Sequence, residues 1–352
     1  MVNKVERVII LVFIIIMSVM YFVRYAGNIE IKPRNVVVQP TMKSSVNISG
    51  DNGGRLSFWQ DDWIVHEGYT YDYNEDITTY LIMGIDKDEE EVQEVYGEID
   101  GGQADALFLL VLNPHDESVR VIGVNRNTMT DVDILDEYGN YVTTTVAQVA
   151  VAHGFGDGLQ ESCKLEEVAV SNIFHSLPIH GYAAINMSAI PRINDAVGGV
   201  DVVPTQTFTA GVYNFRENEK VHLDGKMAYA YLRGRDESVA GSANSRLQRQ
   251  KEYLVAYMHK LKEISGDDPE LSSKLYKTIE KQMTTDVTLQ QFISMAGRLA
   301  KYRMPEDGFY LLKGATNIGD RFEEFYPDKD ALDELMLDVF YDRVYVNRYL
   351  NN

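Results

Sequence analysis

The sequence predicts an α/β protein: a single three-layer α-β-α domain with a central mixed sheet, placed after an N-terminal transmembrane helix. Two observations carry this prediction. Short apolar runs rich in β-branched and aromatic residues alternate with segments of helical period along one continuous stretch of chain, which is typical of an α/β domain. A separate apolar run without any charged residue lies near the N-terminus, as expected of a membrane-spanning helix.

The N-terminal apolar run covers Val8–Val23 and is bracketed by Arg7 and Arg24. It is near the short end of the roughly 17–25 residues that cross a bilayer. A retained anchor is favoured over a cleaved signal peptide, because the run does not end in the small residues of a cleavage site. We expect a cytoplasmic tail at 1–7, a membrane anchor at 8–24, an extracellular linker at 25–75 and a folded domain at 76–345, which makes this a single-pass protein of the cell membrane.

The remaining elements follow from the apolar patterns. Continuous apolar strands are typical of a sheet covered on both faces, and the turn at Asn113 and Pro114 indicates that the second and third strands form a hairpin. The predicted strands are Thr79–Ile85, Ala106–Leu112, Val119–Val124, Tyr182–Asn186 and Val200–Pro204. The predicted helices are Leu165–Leu177, Ser188–Ala196, Asp224–Leu232, Asn244–Ile264, Leu271–Gln282, Thr288–Tyr302 and Asp328–Asp342.

Charge and cysteine content exclude several functional classes. The 352 residues include 53 acidic and 33 basic side chains, giving a formal net charge of -20. Such a surface repels phosphate backbones and argues against nucleic-acid binding, so an anionic ligand would need a local group of arginines. The single cysteine, Cys163, excludes an intrachain disulfide and an all-cysteine zinc site. It is expected to fill space in the core rather than to react.

Three short clusters place polar residues at the ends of predicted strands. Asp86 follows the first strand, Asp105 lies at the start of the second, and Arg126 follows the third. Ligands bind at the carboxyl edge of open α/β sheets, and two carboxylates together with phosphate oxygens suit Mg²⁺. Each residue taken alone is also compatible with an ordinary turn, a helix cap or a surface ion pair.

The fourth cluster is the most specific. Four arginines fall within seventeen residues of an otherwise acidic chain: Arg233, Arg235, Arg246 and Arg249, followed by Gln250. Arg246 and Gln250 are four residues apart and share a helix face. Planar, permanently charged guanidinium groups bind pyrophosphate oxygens in pairs. The alternative is a set of surface ion pairs with Asp236 and Glu237.

Taken in order, these clusters resemble the LytR–CpsA–Psr family of cell-wall glycopolymer ligases. The family's opening Gly-x-Asp corresponds to Gly84–Asp86, its Arg-Ser-Asp-Thr element to Gln103–Ala106 and its Pro-Arg-Asp-Thr element to Asn125–Thr128. The later elements correspond to Ala152–Gly156, Asp195–Val202, Leu223–Arg235 and Arg246–Gln250. Family positions that are charged are neutral here at Gln103, Asn127 and near Asn244, and the family proline is replaced by Asn125.

The resemblance implies a phosphotransferase that moves a glycopolymer from a polyprenyl-pyrophosphate carrier to peptidoglycan, with Mg²⁺ as cofactor. It implies Asp105, Arg126 and Arg233 as catalytic residues and Asp86 and Asp105 as metal ligands. Pyrophosphate would be bound by Arg126, Arg233, Arg235, Arg246, Arg249 and Gln250. One of the two aspartates would accept the proton of the attacking sugar hydroxyl, and a pyrophosphatase side activity is open, since water can replace that hydroxyl.

A polyprenyl tail needs an apolar groove, and we expect the helix residues Ile173–Leu177 and the segment Ile185–Ile190 to line it. Two other functions stay open at this point. The neutral residues Gln103 and Asn127 favour a protein that binds polyprenyl pyrophosphate without turnover. A transcriptional regulator is disfavoured by the acidic charge and by the absence of a DNA-binding motif.

Overall fold

The computed structural model describes residues 63–95, 100–234, 242–264, 278–287, 302–319 and 322–344. The predicted tail, the anchor and Arg235 lie outside the described residues, as do the helix predicted over 288–302, apart from its last residue, and most of the helix predicted over 271–282. Within the described part of the chain, no helix is both long and apolar enough to cross a membrane.

The described part of the chain contains seventeen strands of three to ten residues. In chain order they are β1 Ile64–His66, β2 Tyr69–Tyr73, β3 Thr78–Ile85, β4 Ala104–Asn113, β5 Ser118–Val124, β6 Met129–Leu135, β7 Tyr141–Gln148, β8 Tyr182–Asn186, β9 Val200–Val202, β10 Phe208–Ala210, β11 Tyr213–Phe215, β12 Val221–Leu223, β13 Met283–Thr285, β14 Phe309–Leu311, β15 Gly314–Ile318, β16 Glu323–Pro327 and β17 Tyr341–Val344.

The described α-helices are α1 Gln160–Ile173, α2 Ile190–Ala196, α3 Gly225–Arg233, α4 Ser242–Ile264 and α5 Lys329–Phe340. Three 3-10 turns accompany them, at Val149–Phe155, Met187–Ala189 and Glu280–Gln282. The side chains of Asp224 and Asp328 accept hydrogen bonds from the backbone N–H groups of Met227 and Ala331, and so cap the first turns of α3 and α5.

A six-stranded mixed sheet forms the centre of the molecule, in the order β13-β8-β3-β4-β5-β14. Its inner strands β3, β4 and β5 pair antiparallel, as the predicted hairpin requires, while β8 and β14 run parallel to their neighbours β3 and β5. The predicted α/β class and central mixed sheet are therefore confirmed.

The two faces of this sheet differ. Alternate residues such as Leu81, Leu109 and Ile122 are fully buried in a core shared with α1 and α5. The residues between them, including Ile82 and Phe108, face α2, α3 and α4 across an apolar cavity. Helices thus cover both faces of the sheet, and the second face keeps open space.

Several predicted boundaries were wrong. Strands β1 and β2 lie inside the predicted linker 25–75, so ordered structure begins before residue 76. The last predicted helix ends at Phe340, and the chain continues as β17 beside β2, where Tyr341 packs edge-to-face on Tyr73 at 5.4 Å. Long-range pairing of this kind leaves no local signal in either segment.

The helix predicted over 165–177 begins and ends earlier, at Gln160 and Ile173. Its end is explained by His175 and Ser176, which adopt positive φ angles of 56° and 66°. Residues with this left-handed conformation cannot continue a right-handed helix.

Candidate functional site

Three neighbouring strands deliver their polar residues to one end of the sheet. Asp86 immediately follows β3, and its backbone N–H donates to the Gln103 carbonyl at 2.9 Å. The pairing of β3 with β4 shifts register between Gly84 and Ile85, which leaves Asp105 as the extra residue of a β-bulge. Bulges redirect side chains and are common beside active sites. The polar residues at the strand ends therefore lie together, as predicted.

Asp105 lies between two arginines from distant parts of the chain. Its Oδ2 accepts a hydrogen bond from Arg246 Nη1 at 2.9 Å, and its Oδ1 contacts Nη1 of Arg126. Asp105 is 6% exposed and Arg246 is 4% exposed, so water screens this triad poorly. One carboxylate therefore holds two guanidinium groups, with one positive charge in excess.

Gln103 contacts Arg126 from a second side. Its Oε1 accepts a hydrogen bond from Arg126 Nη2, so this neutral residue orients Arg126 without adding charge. The Arg126 Nε atom is buried and has no hydrogen-bond partner among the described residues. The guanidinium group thus keeps an unused donor behind the site.

A second arginine cluster forms at the end of α3. Arg233 Nη2 contacts Asp86 Oδ1, and Nη1 lies 3.4 Å from Asp88 Oδ1. The Tyr229 hydroxyl donates to Asp88 at 2.5 Å and accepts from Arg233. Although partial burial acts in the opposite direction, the hydrogen bond to Tyr229 and the charge of Asp86 raise the pKa of Arg233. This guanidinium stays charged while it faces the solvent-accessible side of the site.

Arg249 and Gln250 lie deeper. Arg249 donates to the carbonyls of Tyr231 and Gly234 at the end of α3 and stacks over Phe208 at 4.2 Å, which satisfies carbonyls that a helix end leaves free. Burial lowers the pKa of Arg249. The Gln250 amide is 4% exposed, and neither its nitrogen nor its oxygen has a partner among the described residues.

Three of the residues that depart from the family pattern, Asn125, Asn127 and Asn244, belong to one connected network. Asn125 Nδ2 donates to Asn244 Oδ1 at 2.5 Å, and its own Oδ1 accepts from the Asn127 N–H at 2.8 Å. The Asn127 side chain in turn donates to Glu323 Oε2 at 2.9 Å and accepts from Gln148 at 3.0 Å. Neutral amides here tie the Arg126 loop to α4 and to β16.

An apolar cavity of about 180 Å³ opens between the sheet and helices α2 to α4. Gly84, Ala106, Leu232 and Gln250 line it, and each lies within two residues of a charged residue of the site. The predicted segment contributes Ile185, Asn186, Met187 and Ile190. The other predicted lining, Ile173–Leu177, was wrong, because Ile173, Phe174 and Leu177 belong to the core on the opposite face of the sheet.

Behind Arg126 lies a buried group that the sequence did not indicate. Glu166 is completely buried and accepts a hydrogen bond from the His153 N–H at 2.9 Å, while its Oε1 has no partner among the described residues. Burial raises the pKa of Glu166 well above its usual range, against the opposing effects of the His153 N–H and the Arg126 charge. Burial also lowers the pKa of His153 to about 4 and raises that of Cys163, so the cysteine fills space as predicted.

The predicted residues are thus grouped in two clusters, with Asp105, Arg126 and Arg246 in one and Asp86 and Arg233 in the other. Sequence reasoning missed Asp88, Tyr229 and Glu166. The Tyr229 position could have been found, since it precedes Arg233 by one helical turn. Asp88 belongs to a run of acidic residues that looks like ordinary surface. Among the residues described, no group of three or more His, Cys, Asp or Glu side chains is placed to hold a metal ion.

Comparison with known proteins agrees with these features. The LytR_cpsA_psr family model matches residues 51–324. A relative from Bacillus mycoides (strain KBAB4), the polyisoprenyl-teichoic acid–peptidoglycan teichoic acid transferase TagU, is 32% identical over 198 residues, covering 56% of this chain and 59% of the relative. The chain therefore spans about three fifths of that relative's length.

Solved structures share the fold. The crystal structure of B. subtilis TagV superposes with a TM-score of 0.55 and 18% identity, covering 76% of this chain and 96% of that one. TagT bound to LI-WTA gives a TM-score of 0.52 and 18% identity, covering 75% and 90%. At this level of identity the likeness concerns the fold alone.

Proposed function

The chain belongs to the LytR–CpsA–Psr family, and from this premise we propose that it transfers a glycopolymer phosphate from a polyprenyl-pyrophosphate carrier to peptidoglycan. The observation that carries the proposal is the junction of two environments. Buried and half-buried arginines border one end of an apolar cavity. A lipid with a pyrophosphate head and a prenyl tail has this same division, because its charges need guanidinium partners and its tail needs apolar walls.

Arg126, Arg233 and Arg246 would neutralise the pyrophosphate, with Gln250 donating from the wall of the cavity. In the proposed step the acceptor hydroxyl oxygen forms a bond to the phosphorus that bears the glycopolymer. The bond from that phosphorus to the bridging oxygen breaks, and polyprenyl phosphate leaves with the bonding electrons. Charge develops on the leaving phosphate, and fixed guanidinium groups stabilise it there without reorganisation.

The acceptor proton needs a nearby base, and we assign it to Asp86. Both oxygens of Asp105 face arginines, so Asp105 acts by holding Arg126 and Arg246 in position. Asp86 is about one third exposed, with a side-chain exposure of 34%, and is open to an incoming hydroxyl. Water in place of that hydroxyl would give the pyrophosphatase side reaction.

We also propose Mg²⁺ as the cofactor, held by Asp86 and Asp105 together with phosphate oxygens. The donor set fits, since both groups supply hard carboxylate oxygens beside the guanidinium groups that would hold the phosphates. When bound, the ion would neutralise charge on the pyrophosphate. Anchoring through 8–24, with the domain on the outer side of the membrane, completes the proposal and would place the cavity near its lipid.

The decisive experiment uses the full chain in detergent with a synthetic polyprenyl-pyrophosphate glycan, Mg²⁺ and peptidoglycan fragments, followed by mass spectrometry. We expect a phosphodiester between glycan and acceptor. Arg233→Ala should lower the rate by about 10²–10³-fold, the usual effect of losing one charge-stabilising donor. Arg216→Ala is the matched control, because among the described residues the Arg216 side chain pairs with Glu219 alone, on the surface at 3.7 Å.

Three other outcomes of this experiment would contradict the proposal. Free sugar phosphate without a conjugate would replace the transferase with a hydrolase. Tight donor binding with no product from several donors would favour the binding protein that the neutral Gln103 and Asn127 suggested. Equal losses in the Arg233 and Arg216 variants would remove the assignment of the site.

A further inference from the structure

Strand β7 is the free edge of the β6–β7 hairpin. Among the described residues it pairs with β6 alone, and every residue from Tyr141 to Val146 is exposed. Val142 and Val146 are 58% and 60% exposed. Edge strands in natural proteins are usually protected by charge, proline or strong distortion. Apart from a bulge at Val142, β7 has none of these, although the whole chain carries a charge of -20.

The sequence of β7 is symmetric. Residues 142–146 are Val-Thr-Thr-Thr-Val, which is the same in both directions with Thr144 at the centre. When an antiparallel strand pairs with its own copy about a twofold axis at Thr144, Val142 lies opposite the partner's Val146. Thr143 then lies opposite the partner's Thr145. Every cross-strand pair is therefore a like pair of apolar or hydroxyl side chains, which are favourable neighbours in sheets.

We propose that two copies of this chain associate through β7, forming a continuous four-stranded sheet across a twofold axis. This interface is isologous and closed, so it yields a dimer rather than a fibre. Thr144 and Val146 lie on one face of the strand because side chains alternate, and Val142 is the extra residue of the bulge. Val146 of each copy would lie beside the two central threonines on that face.

Charge does not oppose this arrangement. The acids of the same face, Asp131 and Asp133, lie on β6, opposite Val146 and Thr144. In the dimer, β6 of one copy is separated from β6 of the other by three strand spacings, about 14 Å. That exceeds the Debye length of about 8 Å at physiological salt.

The contact is small compared with the ~800 Å² that each partner buries in a standard interface. The dimer is therefore weak in dilute solution and is favoured where copies are concentrated. The β6–β7 hairpin is also joined to the candidate site. It begins two residues after Asn127, and Gln148 at its base donates to the Asn127 side chain. Pairing through β7 would connect the Arg126 loops of two molecules.

Cysteine trapping tests the register directly, because the one native cysteine is fully buried. In the full chain, Thr144→Cys places two sulfur-bearing Cβ atoms opposite each other at about 4.5–5.5 Å, near the geometry of a disulfide. We expect this variant to give a disulfide dimer under mild oxidation. Thr143→Cys alone should not, because its copies lie diagonally, about 7–8 Å apart. A mixture of the Thr143→Cys and Thr145→Cys chains should cross-link again.

Adding Val142→Lys and Val146→Lys to the Thr144→Cys chain should slow cross-linking at least tenfold, since both positions are exposed and the folded monomer tolerates them. Equal cross-linking by Thr143→Cys and Thr144→Cys would show random collision and overturn the proposal. So would the absence of any dimer from Thr144→Cys. Vesicle binding that the two lysine substitutions abolish, in a chain that does not cross-link, would assign this strand to a lipid surface instead.

Discussion

At the scale of a single residue, Glu166 places an ionisable carboxyl group where water cannot solvate its charge. Its carboxyl is fully buried, with one oxygen bonded to the His153 N–H and the other unpartnered among the described residues. Burial is the main cause of its raised pKa, so the folded protein retains a proton that the unfolded chain releases near pH 4.3. The stability contributed by this protonated group is complete below the unfolded pKa and is lost as pH rises through the folded pKa.

Glu166→Gln removes that dependence, because the amide is neutral at every pH and its oxygen still accepts from His153. We expect the melting temperatures of variant and wild type to be similar near pH 5. The variant should gain a few degrees by pH 8. Thermal unfolding followed by circular dichroism at several pH values measures the difference. A constant offset between the two proteins across this range would mean that Glu166 does not titrate as described.

Residue patterns in the sequence predicted the site residues that follow apolar strands, but not the buried residue Glu166. Asp86, Asp105 and Arg126 stand where apolar strands end, so the break in pattern points to them. Glu166 lies within Leu165-Glu166-Glu167-Val168, where one glutamate is buried and its neighbour is only half-buried. Helical periodicity cannot tell the two apart, because burial here depends on the distant 3-10 turn at Val149–Phe155.

At the scale of elements, the amide network fixes how the Arg126 loop meets β16. Asn127 is 2% exposed, and its amide nitrogen donates to Glu323. Asn127→Asp, which restores the family carboxylate, would put a buried acid in contact with the half-buried Glu323. We expect a loss of at least about 2 kcal/mol at pH 7, since a hydrogen bond to a charged group is replaced by repulsion. Chemical denaturation of the full chain measures it.

A second substitution makes this test specific. Glu323→Gln in the Asn127→Asp background returns a donor to the pair and should recover most of the lost stability. Near pH 4 the single variant should approach the wild type, because one of the two acids is then protonated. An Asn127→Asp chain as stable as the wild type at pH 7 would show that the site accepts the family's charge without Glu323 opposing it.

Elements formed by local pattern were predicted better than elements formed by distant pairing. The β4–β5 hairpin, α3 and α4 all follow from nearby apolar spacing and turns. β2 and β17 pair across most of the chain length, and β1 joins this sheet through a local hairpin with β2. The β6–β7 hairpin has mixed polar and apolar residues and an exposed outer strand, so its pattern resembles a loop. The bulge that re-aims Asp105 likewise depends on the partner strand.

At the scale of the whole molecule, the charge of -20 surrounds a site that is nearly balanced. Arg126, Arg233, Arg246 and Arg249 exceed Asp86, Asp88 and Asp105 by a single positive charge. Local contacts can therefore hold an anion, but the surrounding field repels it during approach. At 0.01 M ionic strength the Debye length is about 30 Å, so that field reaches the approaching ligand, whereas at 0.15 M it is about 8 Å.

The association rate of a short, water-soluble prenyl pyrophosphate should therefore rise about two- to tenfold as salt increases from 0.01 to 0.15 M. Stopped-flow fluorescence of the full chain in non-ionic detergent measures this rate, and the matching uncharged prenyl alcohol is the control whose rate should stay constant. A rate that falls with salt would mean that the arginine clusters dominate the field at long range. In that case the acidic surface would not oppose the approach of the ligand, and the site would recruit its anion from a distance.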